Sequence, residues 1–277
     1  MIKKSRKEEN FPVGSVLITP ALRPDVHAYY RFARLADDIA DSPIMPSIQK
    51  IEGLNAMEGW LTNSSTSTDL LPDEYQEASH DLGIRLRNRG LEIRLATDLL
   101  QAFRADANNL HCRTWGDLIN YCKYSACPVG RFLLALHGEQ KGLDASDALC
   151  SSLQILNHIQ DAKSDAQDLH RYYMPLEWLE YNGAVQADLS KNSSSPGVRK
   201  TINRILDQTD TLLELSAPLS SLINNRRLAA EADVCRSLAY SLIRRLRSED
   251  PLMLKVSLSK FDWVKASTIG LYSAFSW

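Results

Sequence analysis

The pattern that most restricts the fold of this chain is the recurrence of apolar residues at steps of three and four through most of its length, with no convincing run of alternating strand character. Helices are read at about 25–41, 48–61, 73–88, 91–109, 114–136, 147–168, 198–225 and 228–248. Residues 251–270 support at most one short helix. Pro128 falls inside the 114–136 stretch and predicts a kink there. Two polar stretches, 62–68 and 190–197, lie between helices and have nothing to bury. They do not divide regions of different composition. The expectation is an all-α bundle spanning 1–277 as one domain, with Met1–Glu9 as a flexible charged lead.

Composition removes several functional classes. A formal net charge of -2 gives no electrostatic case for binding nucleic acid. No stretch is long and apolar enough to span a bilayer, and the charged N-terminus is unlike a secretory signal. A cytoplasmic protein is expected, with peripheral membrane contact left open and oligomeric state not readable. Five cysteines without a Cys-x-x-Cys pair fit reduced thiols better than a disulfide framework. The six histidines show no zinc-ligand spacing.

Chemistry concentrates in two helical stripes. In the first, Tyr30, Arg34, Asp37 and Asp41 step by four, three and four, with Asp38 beside them. Phe32, Leu35 and Ile39 form a separate packing face. Two aspartates four apart repel, and one such pair is ordinarily a wet surface feature. The second stripe changes that reading. Gln154, Asn157, Asp161, Asp165 and Asp168 step by three, four, four and three. A solvated face normally mixes cations and anions, whereas this one carries only short oxygen donors. Hard oxygen ligands on two helices suit a divalent cation, magnesium in particular, which leaves coordination positions for water and phosphate. Between the stripes, Tyr121 and Tyr124 precede Ser125-Ala126-Cys127-Pro128-Val129-Gly130. Small residues at a kink either make room for a ligand or allow close helix packing, and the sequence leaves both readings open.

These motifs resemble the squalene/phytoene synthase family of trans-isoprenoid synthases. Asp37-Asp38-Ile39-Ala40-Asp41 is similar to the family's first aspartate motif, Asp-Asp-x-x-Asp, with the four-residue spacing from Asp37 to Asp41 kept. Asn157, Asp161 and Asp165 match the second, about 120 residues later. The segment Tyr121–Gly130, the opening Glu9–Gly14, Leu156–Asp161 and the late Asp250–Trp263 resemble the branch that makes hydroxysqualene.

The resemblance implies a helical isoprenoid-synthase bundle with a central cavity. It also implies a prenyl diphosphate substrate held through Mg2+. Asp37, Asp38, Asp41, Asn157, Asp161 and Asp165 are the metal candidates. Arg34, Arg171 and Tyr173 are candidates for the diphosphate, and Phe11, Tyr30, Tyr121, Gln154 and Asn157 for the reaction centre. The reaction implied is ionisation of presqualene diphosphate followed by water capture. Condensation of two farnesyl diphosphates, or a noncatalytic role on the same fold, are the alternatives. Two departures stand out. Arg171 and Tyr173 lie one residue later than in many members, so a turn near Leu169–His170 must absorb the extra residue. Gln160 stands where many members have arginine.

Overall fold

In the computed structural model, which describes residues 17–64 and 68–275, those residues form helices joined by short connections. The only strand-like feature among them is an isolated bridge between His111 and Tyr172. Helix α1 (Arg23–Ala40) carries Pro24 in its first turn, where the missing N–H costs nothing. It ends just before Pro43. Phe32, Leu35 and Ile39, the packing face expected from the spacing, are buried, together with Val26, Tyr29 and Ala36. Buried Asp25 adds a polar tie, accepting from Arg85 at 3.3 Å and Arg89 at 2.8 Å. Helices α2 (Ser47–Thr62) and α3 (Asp73–Asn88) pair beside α1. Their crossing is close at Gly83, where an added Cβ would sit 2.3 Å from the Leu61 carbonyl oxygen. Backbone cannot rotate aside as a side chain can. Gly83→Ala is therefore expected to cost about 3 kcal/mol, read as a lowered urea midpoint at unchanged slope.

Helices α4 (Arg94–Ala107), α5 (Trp115–Ser125), α6 (Cys127–Leu136) and α7 (Leu143–Gln160) form the next part of the bundle. The kink expected at Pro128 is a complete break. Ala126, at φ -127° and ψ -44°, separates α5 from α6, and Pro128 sits in the first turn of α6. A capping box at Thr114 and Asp117 starts α5.

The helix expected over 147–168 also divides. It starts earlier, after the left-handed Gly142, and its α-helical part ends at Gln160. A bend at Asp161, one turn of helix (α8, Ala162–Ser164) and a wide π-helical turn at Asp165–Leu169 follow. The short α9 (Leu176–Tyr181) leads on to α10 (Pro196–Leu215), which stops ten residues before its expected end. Pro218 breaks the pattern there, leaving the single turn α11 (Leu219–Leu222). Asn225 then caps α12 (Arg226–Ser248).

The largest correction lies at the C-terminal end. In place of at most a short helix in 251–270, α13 runs from Lys260 to Phe275. Gly270 and the β-branched Val264, Thr268 and Ile269 are poor helix formers, so propensity argues against it. Tertiary contact prevails. A Cβ on Gly270 would lie 2.5 Å from Val234 of α12, so the two helices meet closely there. Arg245 donates to Asp262 at 3.0 Å, and Ser259 and Asp262 cap each other at the first turn. Buried residues from α1 to α13 belong to a single apolar cluster. All five cysteines are free thiols.

Candidate active site

A cleft of about 960 Å³ opens between α1 and α7. The first stripe forms one bank. Tyr30, Arg34, Asp37 and Asp41 all line the cleft. Asp38 does not line it. One residue on from Asp37, it turns away from the stripe and pairs with Arg34 at 2.8 Å. The other Arg34 nitrogen holds Asp37, also at 2.8 Å. Burial and the neighbouring Asp41 push the Asp37 carboxyl up to about 7, against the pull of Arg34. A cation placed in the cleft would relieve this crowding of negative charge.

The second stripe forms the facing bank. Gln154, Asn157, Asp161, Asp165 and Asp168 line the same cleft. The π-turn and the left-handed His170 absorb the extra residue noted in the sequence. The next residues then fall into place. Tyr172 exchanges backbone hydrogen bonds with Leu110 and Cys112, so Arg171 and Tyr173 are held beside the end of α4. Arg171 is buried and donates to Asp41 at 2.6 Å, to the Ala40 carbonyl at 2.7 Å and to the Asp106 carbonyl at 3.1 Å. Burial works against its charge, but Asp106, Tyr173 and Asp41 outweigh it and keep the guanidinium protonated. Tyr173 donates to Asp106 at 2.6 Å, and Tyr121 donates to the other carboxylate oxygen at 2.7 Å.

Asp106 and His158 are the residues that sequence reasoning missed. Asp106 is buried under the cleft floor and gathers Tyr121, Tyr173 and Arg171. Burial raises its pKa, while Arg171 and the two tyrosines oppose the rise. A signal was present: Asp106 lies three residues after Phe103, on the apolar stripe of its helix. A carboxylate there must be buried with partners. His158 stacks on Tyr173 at 3.7 Å between ring centres, meets Gln154 at 3.0 Å and lies 3.8 Å from Asp165. Burial raises the Asp165 pKa, with His158 opposing. Gln160 is buried and its amide donates to the Val256 carbonyl at 2.5 Å. It ties α7 to Val256, the residue after the 251–255 segment that forms another wall of the cleft.

Toward the N-terminal side of Asp37 on α1 and of Asn157 on α7 the lining is more apolar, with Ala33 and Leu153, and Phe103, Ala126 and Val129 join them. Phe11 and the Met1–Glu9 lead lie outside the described residues. Among those described, no group of three His, Cys, Asp or Glu side chains is gathered tightly enough to hold a metal. The donors instead stand as two oxygen-bearing banks across an open space, a set that fits a hard cation sharing its ligands with a phosphate-bearing molecule.

Residues 4–262 match the family model for squalene/phytoene synthase. The chain belongs to that family. It is 40% identical to hydroxysqualene synthase of Rhodopseudomonas palustris, covering 95% of this chain and 88% of that protein. With hydroxysqualene synthase of Zymomonas mobilis it shares 38% identity, covering 97% and 87%. Among solved structures, squalene synthase HpnC from Alicyclobacillus acidocaldarius is 29% identical with a TM-score of 0.73, covering 88% of this chain and 90% of that one. A ligand-bound dehydrosqualene synthase superposes with a TM-score of 0.75 over 98% of this chain and 94% of that one. At 20% identity it speaks for the fold alone. Squalene/phytoene synthases are prenyl diphosphate enzymes and are generally dependent on divalent metal. The all-α isoprenoid-synthase bundle expected from the sequence is the fold of this chain.

Proposed function

We propose that this chain acts as a hydroxysqualene synthase, converting presqualene diphosphate and water to hydroxysqualene and diphosphate. One observation carries the reading: three hydroxysqualene synthases share 37–40% identity with it over 92–97% of its length. The cleft supports it, with two charged banks for a diphosphate and apolar lining residues for a hydrocarbon chain. The common apolar core supports treating the chain as one catalytic domain.

In this reading Asp37 and Asp41 on one bank, and Asn157, Asp161 and Asp165 on the other, would hold magnesium, which would supply positive charge to the departing diphosphate. Arg34 and Arg171 supply further positive charge at the same point, and Tyr173 adds a donor. Asp38 acts through Arg34, which it helps to orient. The C–O bond breaks with its electron pair leaving on diphosphate. The rearranged carbocation is sheltered by the apolar wall and by the ring faces of Tyr30 and Tyr121, which attract positive charge. Gln154 and Asn157 border the reaction centre. A water oxygen then bonds to the cation and loses a proton, giving the alcohol.

Incubating the pure protein with presqualene diphosphate and magnesium, without nicotinamide, is expected to yield hydroxysqualene. Recovery of unchanged substrate overturns the reading. The 29% identity to a squalene synthase favours a second reading, condensation of two farnesyl diphosphates. Accumulation of presqualene diphosphate from farnesyl diphosphate would select it.

A further inference from the structure

The outward side of α13 is unusual for the surface of a folded protein. Phe261, Val264, Leu271 and Tyr272 are each between 60% and 76% exposed. At 3.6 residues per turn they fall on one stripe, opposite the side that Asp262, Ala266 and Gly270 bury. Thr268 lies within the stripe, but its hydroxyl is taken by the Val264 carbonyl at 3.0 Å. Exposed Lys260 borders one edge of the stripe and exposed Lys265 the other. A third exposed lysine, Lys255, lies in the segment leading into the helix, next to exposed Met253 and Leu254. From Pro251 onward the sequence has one acidic residue, Asp262. It is buried against Arg245 and offers no negative charge to the surface.

We infer that α13 and the segment before it form a docking surface for an anionic lipid bilayer. An apolar stripe bordered by lysines, with no exposed carboxylate, is the pattern of a helix lying in the membrane interface. The apolar side chains enter the acyl boundary and the lysines meet the headgroup charge. No helix among the described residues is long and apolar enough to cross a membrane, so the helix lies on the bilayer and does not span it. A second copy of the chain is a poorer occupant. Face-to-face docking would set lysines against lysines with no exposed carboxylate between them. The 251–255 segment that leads toward α13 is also a wall of the cleft, so the proposed docking helix follows in the chain directly after that wall.

Membrane binding is measured without turnover, so its failure is distinct from failure of the proposed reaction. The full chain is sedimented with vesicles of phosphatidylcholine, with and without phosphatidylglycerol. Binding is expected with phosphatidylglycerol, about tenfold weaker without it and at high salt. Two double variants, Phe261→Ser with Leu271→Ser and Lys260→Glu with Lys265→Glu, are each expected to lose about tenfold in vesicle binding. Far-UV circular dichroism and thermal melting check that both stay folded. Absence of binding to either vesicle, or wild-type binding by both variants, overturns the inference. A wild-type dimer that the serine variant dissociates overturns it as well, assigning the stripe to self-association.

Discussion

Asp37→Asn is expected to lower turnover of presqualene diphosphate by about a hundredfold or more while helical content stays intact, and Asp161→Asn to do the same from the opposite bank. The change keeps the shape of the side chain and removes the charge that a cation needs. Near-normal rates in both variants would remove the metal-site reading. The same change at Asp37 is expected to act on stability in the other direction. Its carboxyl is pushed up to about 7 in the folded protein, so it binds a proton there that the unfolded chain releases at a lower pH. The stability linked to that proton is fully present below the ordinary carboxylate range. It is lost as pH rises through about 7.

Without metal at pH 8, the folded protein therefore bears the cost of an ionised Asp37. The side chain keeps a third of its surface open to the cleft, and solvent screening limits the cost to about 1 kcal/mol. Asp37→Asn should raise the metal-free melting temperature at pH 8 by about 2 °C and leave it nearly unchanged at pH 4. An equal shift at both pH values would contradict the assignment.

Arg171→Leu is the second large effect. The guanidinium is nearly inaccessible and joins three parts of the chain: the end of α1, the end of α4 and the segment after α7. Leucine fills part of the space but leaves the Asp41 carboxylate and two carbonyl oxygens without this donor. A loss of about 3–4 kcal/mol is expected from urea denaturation, because the partners of a buried charge are stranded when it is removed. Arg171→Lys separates structure from chemistry. It keeps one positive charge but cannot reach all three acceptors with a planar fork. It should recover part of the stability and little of the activity. Full activity in the lysine variant would reduce Arg171 to a structural strut.

Most of the site is legible in the amino-acid sequence because its chemistry is written in helical periodicity. The steps from Tyr30 to Asp41 and from Gln154 to Asp168 each define a stripe by local geometry alone, and both stripes line the cleft. Asp38 follows the same reasoning. The resemblance makes it a metal candidate, but helical stepping leaves it beside the stripe, and in the structure one residue of rotation turns it out of the cleft. Asp106 is legible only in part. Its place on an apolar stripe signals burial with partners, but only the fold shows that those partners are Tyr121, Tyr173 and Arg171.

The sequence by itself determined the all-α class, most helix positions and the two acidic banks. Each of these follows from contacts three or four residues apart, which a helix makes regardless of what surrounds it. Tertiary structure alone decided the rest. It set the Arg171–Asp41 pair across 130 residues, the π-turn that delivers Arg171 and Tyr173, and the full length of α13 against its own propensity. These depend on which surfaces meet. Close packing on α12 and a partly buried ion pair outweigh the few tenths of a kcal/mol per residue by which local preference opposes that last helix.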